Sequence, residues 1–404
     1  MPLTTPKSVQ MLAHSFKNRP AANPDMPSAA FISEAKSLKA WTIDKALPFW
    51  AENAIDDRGG FYEDLTLGGT PNKDAIRRIR VQARQIFVYA NAAHLAWYPQ
   101  GKNIAVKTFN FMKDVGYQPD TAPGFAHLIN ADYSVNNPKR VLYDHAFYLL
   151  ACSALLQLED GLIQKQAKAL CDDIFTFLST SLISTHGGWD ESLPSTLPRR
   201  QNPHMHMLET AMALYDATQN DTYLDIARDI YALFERYFFD PSHNIIGEFF
   251  NDDWSRAAGE KGQSAEPGHA AEWVWLLWQY ERRTGTDTSQ YANALYGNAF
   301  KNNDVFLNDE ENANGYPLRE TKRLWVQTEV IRAHLAQMER GNIQAEDKAV
   351  KAMAHFKNIY LDERGTWTDQ IDANGKACAQ TIPTSTFYHI FGMVTEAARL
   401  ANIL

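Results

Sequence analysis

The chain has 404 residues, of which 45% are hydrophobic and 22% are charged, a composition typical of soluble globular proteins. Its net charge of −9 argues against nucleic acid or an anionic membrane as the main partner. No apolar run approaches the roughly 20 residues of a membrane span, and the N-terminus lacks the apolar stretch of a secretory signal. Three widely spaced cysteines predict no disulfide framework, so we expect a cytoplasmic protein.

Residues 1–30 are rich in proline and serine, and we predict that they form an arm outside the core. Prolines cluster between the helical segments of the remaining chain, and no linker divides it. We therefore predict that residues 31–404 form a single domain. The oligomeric state cannot be inferred from these features.

A glycine followed within two residues by an aromatic residue recurs six times along the chain. These turns are Gly60-Phe61, Gly124-Phe125, Gly188-Trp189, Gly247-Glu248-Phe249, Gly315-Tyr316 and Gly365-Thr366-Trp367. Their spacing of about 50 to 70 residues is typical of a protein in which one supersecondary unit is repeated. We expect short strands to flank the turns.

Between these turns the chain contains pairs of helices that differ in polarity. One set is amphipathic, with a charged side that predicts exposure: residues 33–53, 103–115, 162–182, 222–239, 289–307 and 346–360. The other set is more apolar, which predicts burial: residues 81–97, 142–158, 204–218, 269–283, 324–338 and 386–400. Six alternating pairs predict an all-α toroid, with an open solenoid as the alternative. The apolar inner set favours closure, because a closed ring surrounds those helices.

Each inner helix begins with polar side chains at helical spacing. They are Arg80 and Arg84; Tyr143, Asp144 and His145; Asn202, His206 and Glu209; Glu266, His269 and Glu272; Trp325 and Glu329; and Ser385 and His389. In a closed ring these helix starts converge on one end of the barrel and line a cup. Such a cup suits a sugar, because aromatic faces stack on its C–H groups and polar side chains bind its hydroxyls.

Each histidine also has a structural interpretation, since a histidine in an aromatic helix is often a hydrogen-bonded core residue. The equivalent positions of His206, His269 and His389 in three repeats favour a functional role for them. His204 is expected to point away from the cup. A metal pair of His204 and His206 is not predicted, because residues two apart on a helix face different directions.

A glycoside hydrolase is a second interpretation of the same fold. It needs two carboxyl groups about 5–9 Å apart, and the acidic pairs 190–191 and 252–253 are candidates. A non-catalytic sugar- or protein-binding toroid is a third. No nucleotide-binding or serine-hydrolase motif is present, and we predict neither a cofactor nor a metal.

Taken together, these motifs resemble the N-acylglucosamine 2-epimerase superfamily of sugar isomerases and epimerases, over nearly all of the chain from residue 33 onward. The segments that carry the resemblance are Val81-Gln-Ala-Arg-Gln85, Leu142-Tyr-Asp-His-Ala146, Asn202-Pro-His-Met-His206, Glu266-Pro-Gly-His269 with Glu272-Trp273, Leu324-Trp-Val-Gln-Thr-Glu329 and Phe387-Tyr-His389. The resemblance implies an (α/α)6 barrel. It also implies metal-free proton transfer at C2 of an open-chain aldose, through a cis-enediolate.

The resemblance further implies roles for individual residues. His269 and His389 correspond to the catalytic histidines, with Glu272 expected to hold His269, and Arg84 would stabilise the enediolate oxygens. The residues expected to orient the sugar or the histidines are Tyr143, Asn202, His206, Glu272, Trp325 and Glu329.

Within the superfamily the pattern is most similar to the mannose isomerase branch. The 2-epimerases commonly have an arginine shortly after the last histidine, whereas Ile390, Phe391 and Gly392 follow it here. We therefore expect an aldose–ketose isomerase that interconverts D-mannose and D-fructose, with D-lyxose and D-xylulose as further substrates. A mannose–glucose 2-epimerase is the alternative, and whether the sugar is phosphorylated or sulfonated stays open.

Overall fold

The structure, a computed structural model, describes residues 27–302 and 304–404. The arm predicted for residues 1–30 lies almost entirely outside the described residues. None of the helices in these two ranges is long and apolar enough to cross a membrane.

Six outer helices form the outside of the barrel. They are α1 (Ala29–Trp41) with its continuation α2 (Leu47–Asn53), α4 (Gly101–Gly116), α6 (Gly161–Phe177), α8 (Thr222–Leu233), α11 (Ser289–Ala299) and α13 (Ala345–Tyr360). Short π-helical turns join α1 to α2 and extend α6 and α8. Their buried residues recur at helical spacing on one side, as predicted from the amphipathic pattern.

Six inner helices line the barrel. They are α3 (Ile79–His94), α5 (Leu142–Leu156), α7 (Gln201–Thr218), α10 (Pro267–Thr284), α12 (Leu324–Glu339) and α14 (Phe387–Leu400). They pack in chain order, and α14 returns to contact α3. The ring is therefore closed, and the fold is the (α/α)6 barrel. Residues are buried around most of each inner helix because neighbours cover both of its sides.

Short antiparallel strand pairs connect neighbouring repeats at the end of the barrel where the inner helices begin. The pairs and triples are β2 (Arg77–Arg78) with β3 (Leu128–Ile129) and β4 (Val135–Asn137), β5 (Arg140–Val141) with β6 (Ser192–Leu193), β7 (Arg199–Arg200) with β10 (Phe249–Phe250), β11 (Ser264–Ala265) with β12 (Glu310–Asn312) and β13 (Pro317–Arg319), β14 (Lys322–Arg323) with β15 (Gln370–Ile371), and β16 (Thr381–Pro383) with β1 (Asp64–Thr66). A separate hairpin joins β8 (Phe239–Asp240) to β9 (Ile245–Ile246), and a short helix, α9 (Gly259–Gln263), precedes β11. The prediction of short strands near the turns is confirmed, and the pairing of β1 with β16 closes the ring.

The fourth and fifth turns differ from the predicted repeat. Gly247 follows the paired residue Ile246 instead of preceding it, and Gly315 lies in the hairpin between β12 and β13. The fifth-repeat equivalent of Phe61 is Leu307, whose backbone bonds the Gln327 side chain as the backbone of Phe61 bonds Gln82. The repeat is thus defined by this backbone contact and not by the glycine.

The outer helix predicted for residues 289–307 ends earlier, at Ala299. Two physical reasons account for the difference. Glycine and asparagine at 297, 298 and 302 have low helix propensity. Leu307 must also be extended so that both its N–H and its carbonyl can bond Gln327.

Candidate active site

The first turns of the inner helices bring the nine predicted site residues into one cluster. Arg84 donates to the Tyr143 hydroxyl, and the rings of Tyr143 and His206 are 5.2 Å apart. On the other side, Asn202 contacts His269. The His269 ring packs on Trp325, Trp325 packs on His389, and Glu329 accepts from His389. Glu272 lies behind, 3.8 Å from His206.

His269 is buried among carboxylates. Its Nδ1 is 3.0 Å from Glu248 Oε2, and its Nε2 is 3.0 Å from the side-chain amide of Asn202. Burial alone would lower the pKa of His269, but Glu248, Glu266 and Glu272 outweigh it and raise the pKa to about 10. This imidazole is therefore protonated at neutral pH and can act as an acid.

The sequence predicts Glu272 as the residue that holds His269. The structure shows that the hydrogen-bond partner is Glu248 instead. Glu248 precedes β10, which pairs with β7 just before α7, and this pairing positions its carboxylate beside the start of α10. Acidic side chains after the turns do the same in other repeats, where Glu63 and Glu191 accept from the backbone N–H groups just before α3 and α7. That recurrence was the available sequence signal for Glu248.

His389 has the same kind of contact but a different electrostatic environment. Its Nδ1 is 3.0 Å from Glu329 Oε1. Burial, together with the positive charges of Arg84 and Arg332 and the neighbouring His206, lowers the pKa of His389 well below its ordinary value near 6.5. The imidazole is therefore neutral at pH 7. With Nδ1–H donated to Glu329, the lone pair of Nε2 is available as a base.

Trp325 separates the two histidines and forms a wall of the cup. Its ring centroid is 5.3 Å from that of His269 and 5.6 Å from that of His389. A flat aromatic face between an acid and a base is suited to hold the C–H face of a sugar.

Arg84 lies on the opposite wall with its guanidinium nearly buried. One Nη donates to the Tyr143 hydroxyl at 2.8 Å and the other to the backbone carbonyl of Ser385 at 3.3 Å. The guanidinium lies 4.2 Å from the centre of the Phe147 ring, and its Nε has no protein partner among the described residues. No carboxylate of the described chain forms a salt bridge with Arg84, so its positive charge is available to a ligand anion.

Behind the cup, His206 lies near two glutamates whose pKa values are shifted in opposite directions. Burial raises the pKa of Glu209, but His206, Arg332 and the Tyr388 hydroxyl outweigh it and lower the pKa to about 2. Burial and the charges of Glu329 and Glu209 raise the pKa of Glu272 well above its usual range. The Oε1 of Glu272 has no hydrogen-bond partner among the described residues.

Arg332 was not predicted as a site residue. It lies one helical turn after Glu329, and its side chain is 3% exposed and contacts both Glu329 and Glu209. The spacing from Glu329 was a weak signal, because i, i+3 pairs of opposite charge are common on exposed helices.

Two groups of three side chains have the donor atoms of a metal site, within 4.8 Å of one another: His206, Glu209 and Glu272, and Glu248, Glu266 and His269. An arginine already places a positive charge beside each group, with Arg332 at 3.5 Å from Glu209 and Arg323 at 3.1 Å from Glu266. These arginines provide the charge compensation that a metal would otherwise supply.

Two other histidines are part of the framework. His145 Nε2 accepts from the N–H of Phe125 and His204 Nε2 from that of Trp189, both at 3.1 Å. Burial lowers the pKa of His145 to about 4 and that of His204 to about 3, so both are neutral. They occupy the positions that Gln82 and Gln327 have in other repeats, and His204 points away from the cup as predicted.

The acidic pairs considered for a glycoside hydrolase have other partners. Glu191 accepts from the backbone and side chain of Arg200. Asp252 and Asp253 are exposed, and Asp253 bonds Ser255 within its turn. In this structure these carboxylates stabilise turns at the rim.

The sequence profile of the family described as N-acylglucosamine 2-epimerase (GlcNAc 2-epimerase) matches residues 60–393. The chain belongs to this family of sugar epimerases and isomerases, which confirms the resemblance of its motifs. It is also similar to the mannose-6-phosphate isomerase of Rhizobium meliloti (strain 1021), with 32% identity over 384 residues, 90% of this chain and 96% of that protein.

Two solved structures illustrate the shared fold. The cellobiose 2-epimerase of Spirochaeta thermophila DSM 6192 superposes with a TM-score of 0.82 at 20% identity, covering 92% of this chain and 97% of that one. A D-mannose isomerase superposes with a TM-score of 0.79 at 22% identity, covering 91% and 98%. At these identities the likeness shows the (α/α)6 fold and does not select between isomerase and epimerase.

Proposed function

We propose that the protein is an aldose–ketose isomerase that interconverts D-mannose and D-fructose, with D-lyxose and D-xylulose as further substrates. The observation that carries the proposal is the pair of glutamate-held histidines of opposite protonation on either side of Trp325. Aldose–ketose isomerisation needs such a base and such an acid at the same time. The names of the Rhizobium relative and of one structural neighbour support an isomerase.

In the proposed reaction the base is His389. Its Nε2 takes the proton from C2 of the open-chain aldose, the C–H electrons form the C1–C2 double bond, and O1 gains the negative charge. Arg84 stabilises that charge, because its guanidinium is buried and has a free Nε–H.

His269 acts as the acid. It donates a proton to the ring oxygen during ring opening, and later assists the exchange of protons between O1 and O2. His389 returns its proton to C1, which leaves the carbonyl at C2 and completes the ketose. Asn202, His206, Glu272, Trp325, Glu329 and Tyr143 are proposed to orient the sugar and the histidines.

A 2-epimerase is the second candidate, since the chain shares its fold with cellobiose 2-epimerases. Epimerisation passes through the same enediolate but returns the proton to the other face of C2. Incubation with D-mannose in D2O, followed by NMR, separates the two reactions. We expect D-fructose labelled at C1 as the first product, and glucose without fructose would contradict the isomerase.

A phosphorylated substrate is favoured by the name of the Rhizobium relative. Against it, four other arginines near the starts of the inner helices pair with carboxylates: Arg78 with Glu63, Arg80 with Asp144, Arg200 with Glu191, and Arg323 with Glu266 and Asp309. Because these charges are neutralised in place, we propose an unphosphorylated sugar. Comparing kcat/KM for mannose and mannose 6-phosphate tests this, and a preference for the phosphate would overturn it.

A further inference from the structure

Arg332 lies beneath the cup, between the glutamates that contact two of its histidines. One Nη is 2.9 Å from Glu329 Oε2 and the other is 3.5 Å from Glu209 Oε1. The guanidinium also lies flat on Trp275, 3.3 Å from the ring centre. The side chain is therefore held from three directions, and its planar group has little freedom to rotate.

Each of the two glutamates uses its other oxygen for a histidine. Glu329 Oε1 is 3.0 Å from Nδ1 of His389, and Glu209 Oε2 is 3.3 Å from Nδ1 of His206. Glu209 Oε2 also accepts from the hydroxyl of Tyr388. The arginine thus joins the supports of both histidines into one buried network.

We propose that Arg332 is a positioning residue for the proposed reaction: its guanidinium fixes Glu329, and through it the orientation and tautomer of the base His389. This inference rests on the proposed function only for its effect on turnover. Its effect on His389 itself is independent of the substrate.

A purely structural role is the competing explanation, because a buried arginine also neutralises buried glutamates and fills space beside Trp275. The two explanations differ in what they predict for His389. A structural arginine affects folding, whereas a positioning arginine also changes the acid–base behaviour of His389. The titratable and charged groups near His389 are Arg84, Arg332, His206, Glu209 and Glu329 from other inner helices and Tyr388 from its own helix.

Removing that charge must raise the pKa of His389, since Arg332 contributes to lowering it. The rate requires neutral His389, so the acidic limb of the kcat profile moves to higher pH. Loss of the fixed orientation lowers kcat, by ~100-fold on the precedent of small misplacements of a catalytic group. KM changes much less, because Arg332 does not touch the sugar.

The test uses the full chain with Arg332→Met and Arg332→Lys, and Arg340→Met as the matched control. Arg340 also lies over a tryptophan, 4.8 Å from Trp278, with its side chain 8% exposed, and it pairs with Glu281 at 2.8 Å. It follows the C-terminal end of α12, far from the cup. We expect Arg340→Met to lower stability without moving the acidic limb.

The protonation of His389 is measured directly by NMR titration of its ring proton, assigned with His389→Gln. We expect this signal to titrate at higher pH in Arg332→Met than in the wild type, whether or not a sugar is turned over. A wild-type protein that converts no sugar would therefore contradict the proposed function but still test Arg332. An unchanged titration in Arg332→Met would overturn the inference.

Arg332→Lys decides the case in which the methionine variant does not fold. Lysine keeps the positive charge but cannot hold two glutamates with a planar fork. We expect the titration of His389 to stay near that of the wild type while kcat falls at least tenfold. A lysine variant with wild-type kcat would overturn the positioning role.

Guanidinium rescue of Arg332→Ala provides a second measurement. A cavity of about 170 Å³ is lined by Arg332, Glu209 and Tyr388, and Asp216 and Arg283 line it as well. Millimolar guanidinium chloride should restore part of kcat and return the His389 titration to lower pH. Methylammonium has the charge but not the planar fork of guanidinium, so it should restore the pKa of His389 more than kcat. If the two ions restored both the pKa and kcat equally, the positioning role would be contradicted.

Discussion

The regions around His269 and His389 have the same local geometry and opposite protonation. In each, a glutamate lies 3.0 Å from Nδ1 of a buried histidine, and both rings pack on Trp325. Yet the pKa of His269 is raised to about 10, whereas that of His389 is lowered well below its ordinary value. The contact with the glutamate therefore does not decide the charge of the histidine.

The next neighbours account for the difference. Glu266 and Glu272 add negative charge near His269, while Arg84 and Arg332 add positive charge near His389. In a buried site these charges act through little water and shift the pKa strongly. The comparison shows how two similar glutamate–histidine contacts can differ in protonation.

Removing the base should have the largest effect. We expect His389→Gln to lower the exchange of the C2 proton by ~1000-fold, within the range for general base catalysis. His269→Gln should have a smaller effect on this step, because His269 is proposed to act on oxygen atoms. NMR of mannose in D2O measures this exchange. Equal losses of the exchange rate in the two variants would contradict the proposed division of roles.

Removing the charge of Glu248 should have the next-largest effect, and it should affect only the region of His269. Glu248→Gln keeps a hydrogen-bond acceptor for His269 but removes its nearest anion, so the pKa of His269 falls from about 10 and the alkaline limb moves to lower pH. The acidic limb should not move, and the expected fall in kcat at pH 7 is about tenfold. Glu63→Gln, at the equivalent position of another repeat, is the control and should leave both limbs in place.

The pH dependence of wild-type activity should be limited by the pKa values of both histidines. Activity requires neutral His389, so it is lost as pH falls through the lowered pKa of His389, below 6.5. It also requires protonated His269, so it is lost as pH rises through about 10. We expect a broad plateau of kcat/KM between these limits, and a sharp optimum near pH 6.5 would contradict the assignment.

The framework histidines should have the smallest effect on activity. His145→Gln is expected to be tolerated, because Gln82 makes the equivalent contact with the backbone of Phe61. His145→Ala leaves the N–H of Phe125 unpaired and should cost about 1–3 kcal/mol of unfolding free energy, measured with denaturant. Both variants should keep kcat within a few-fold, and a glutamine variant as unstable as the alanine one would show that the two contacts are not equivalent.

Much of the fold could be predicted from the sequence because its signals are local. The apolar inner helices and amphipathic outer helices differ in periodicity, and the turns recur at near-even spacing. In a closed ring the polar residues at the inner helix starts lie at one end of the barrel. This geometry predicts that Arg84, His269 and His389 lie close together. The predicted end of α11 was wrong because it depends on the contact between Leu307 and Gln327, which are distant in sequence.

By itself the sequence determined the six helix pairs and the polar side chains at the inner helix starts, since each follows from spacing along a helix. It favoured a closed ring over an open solenoid, and the packing of α14 on α3 shows that the ring closes. Only the tertiary structure decided that Glu248 and not Glu272 holds His269, because the pairing of β10 with β7 positions that carboxylate beside the start of α10. It also decided the opposite protonation of the two histidines. Their protonation depends on charges such as Arg332, which come from several helices and act together only in the packed barrel.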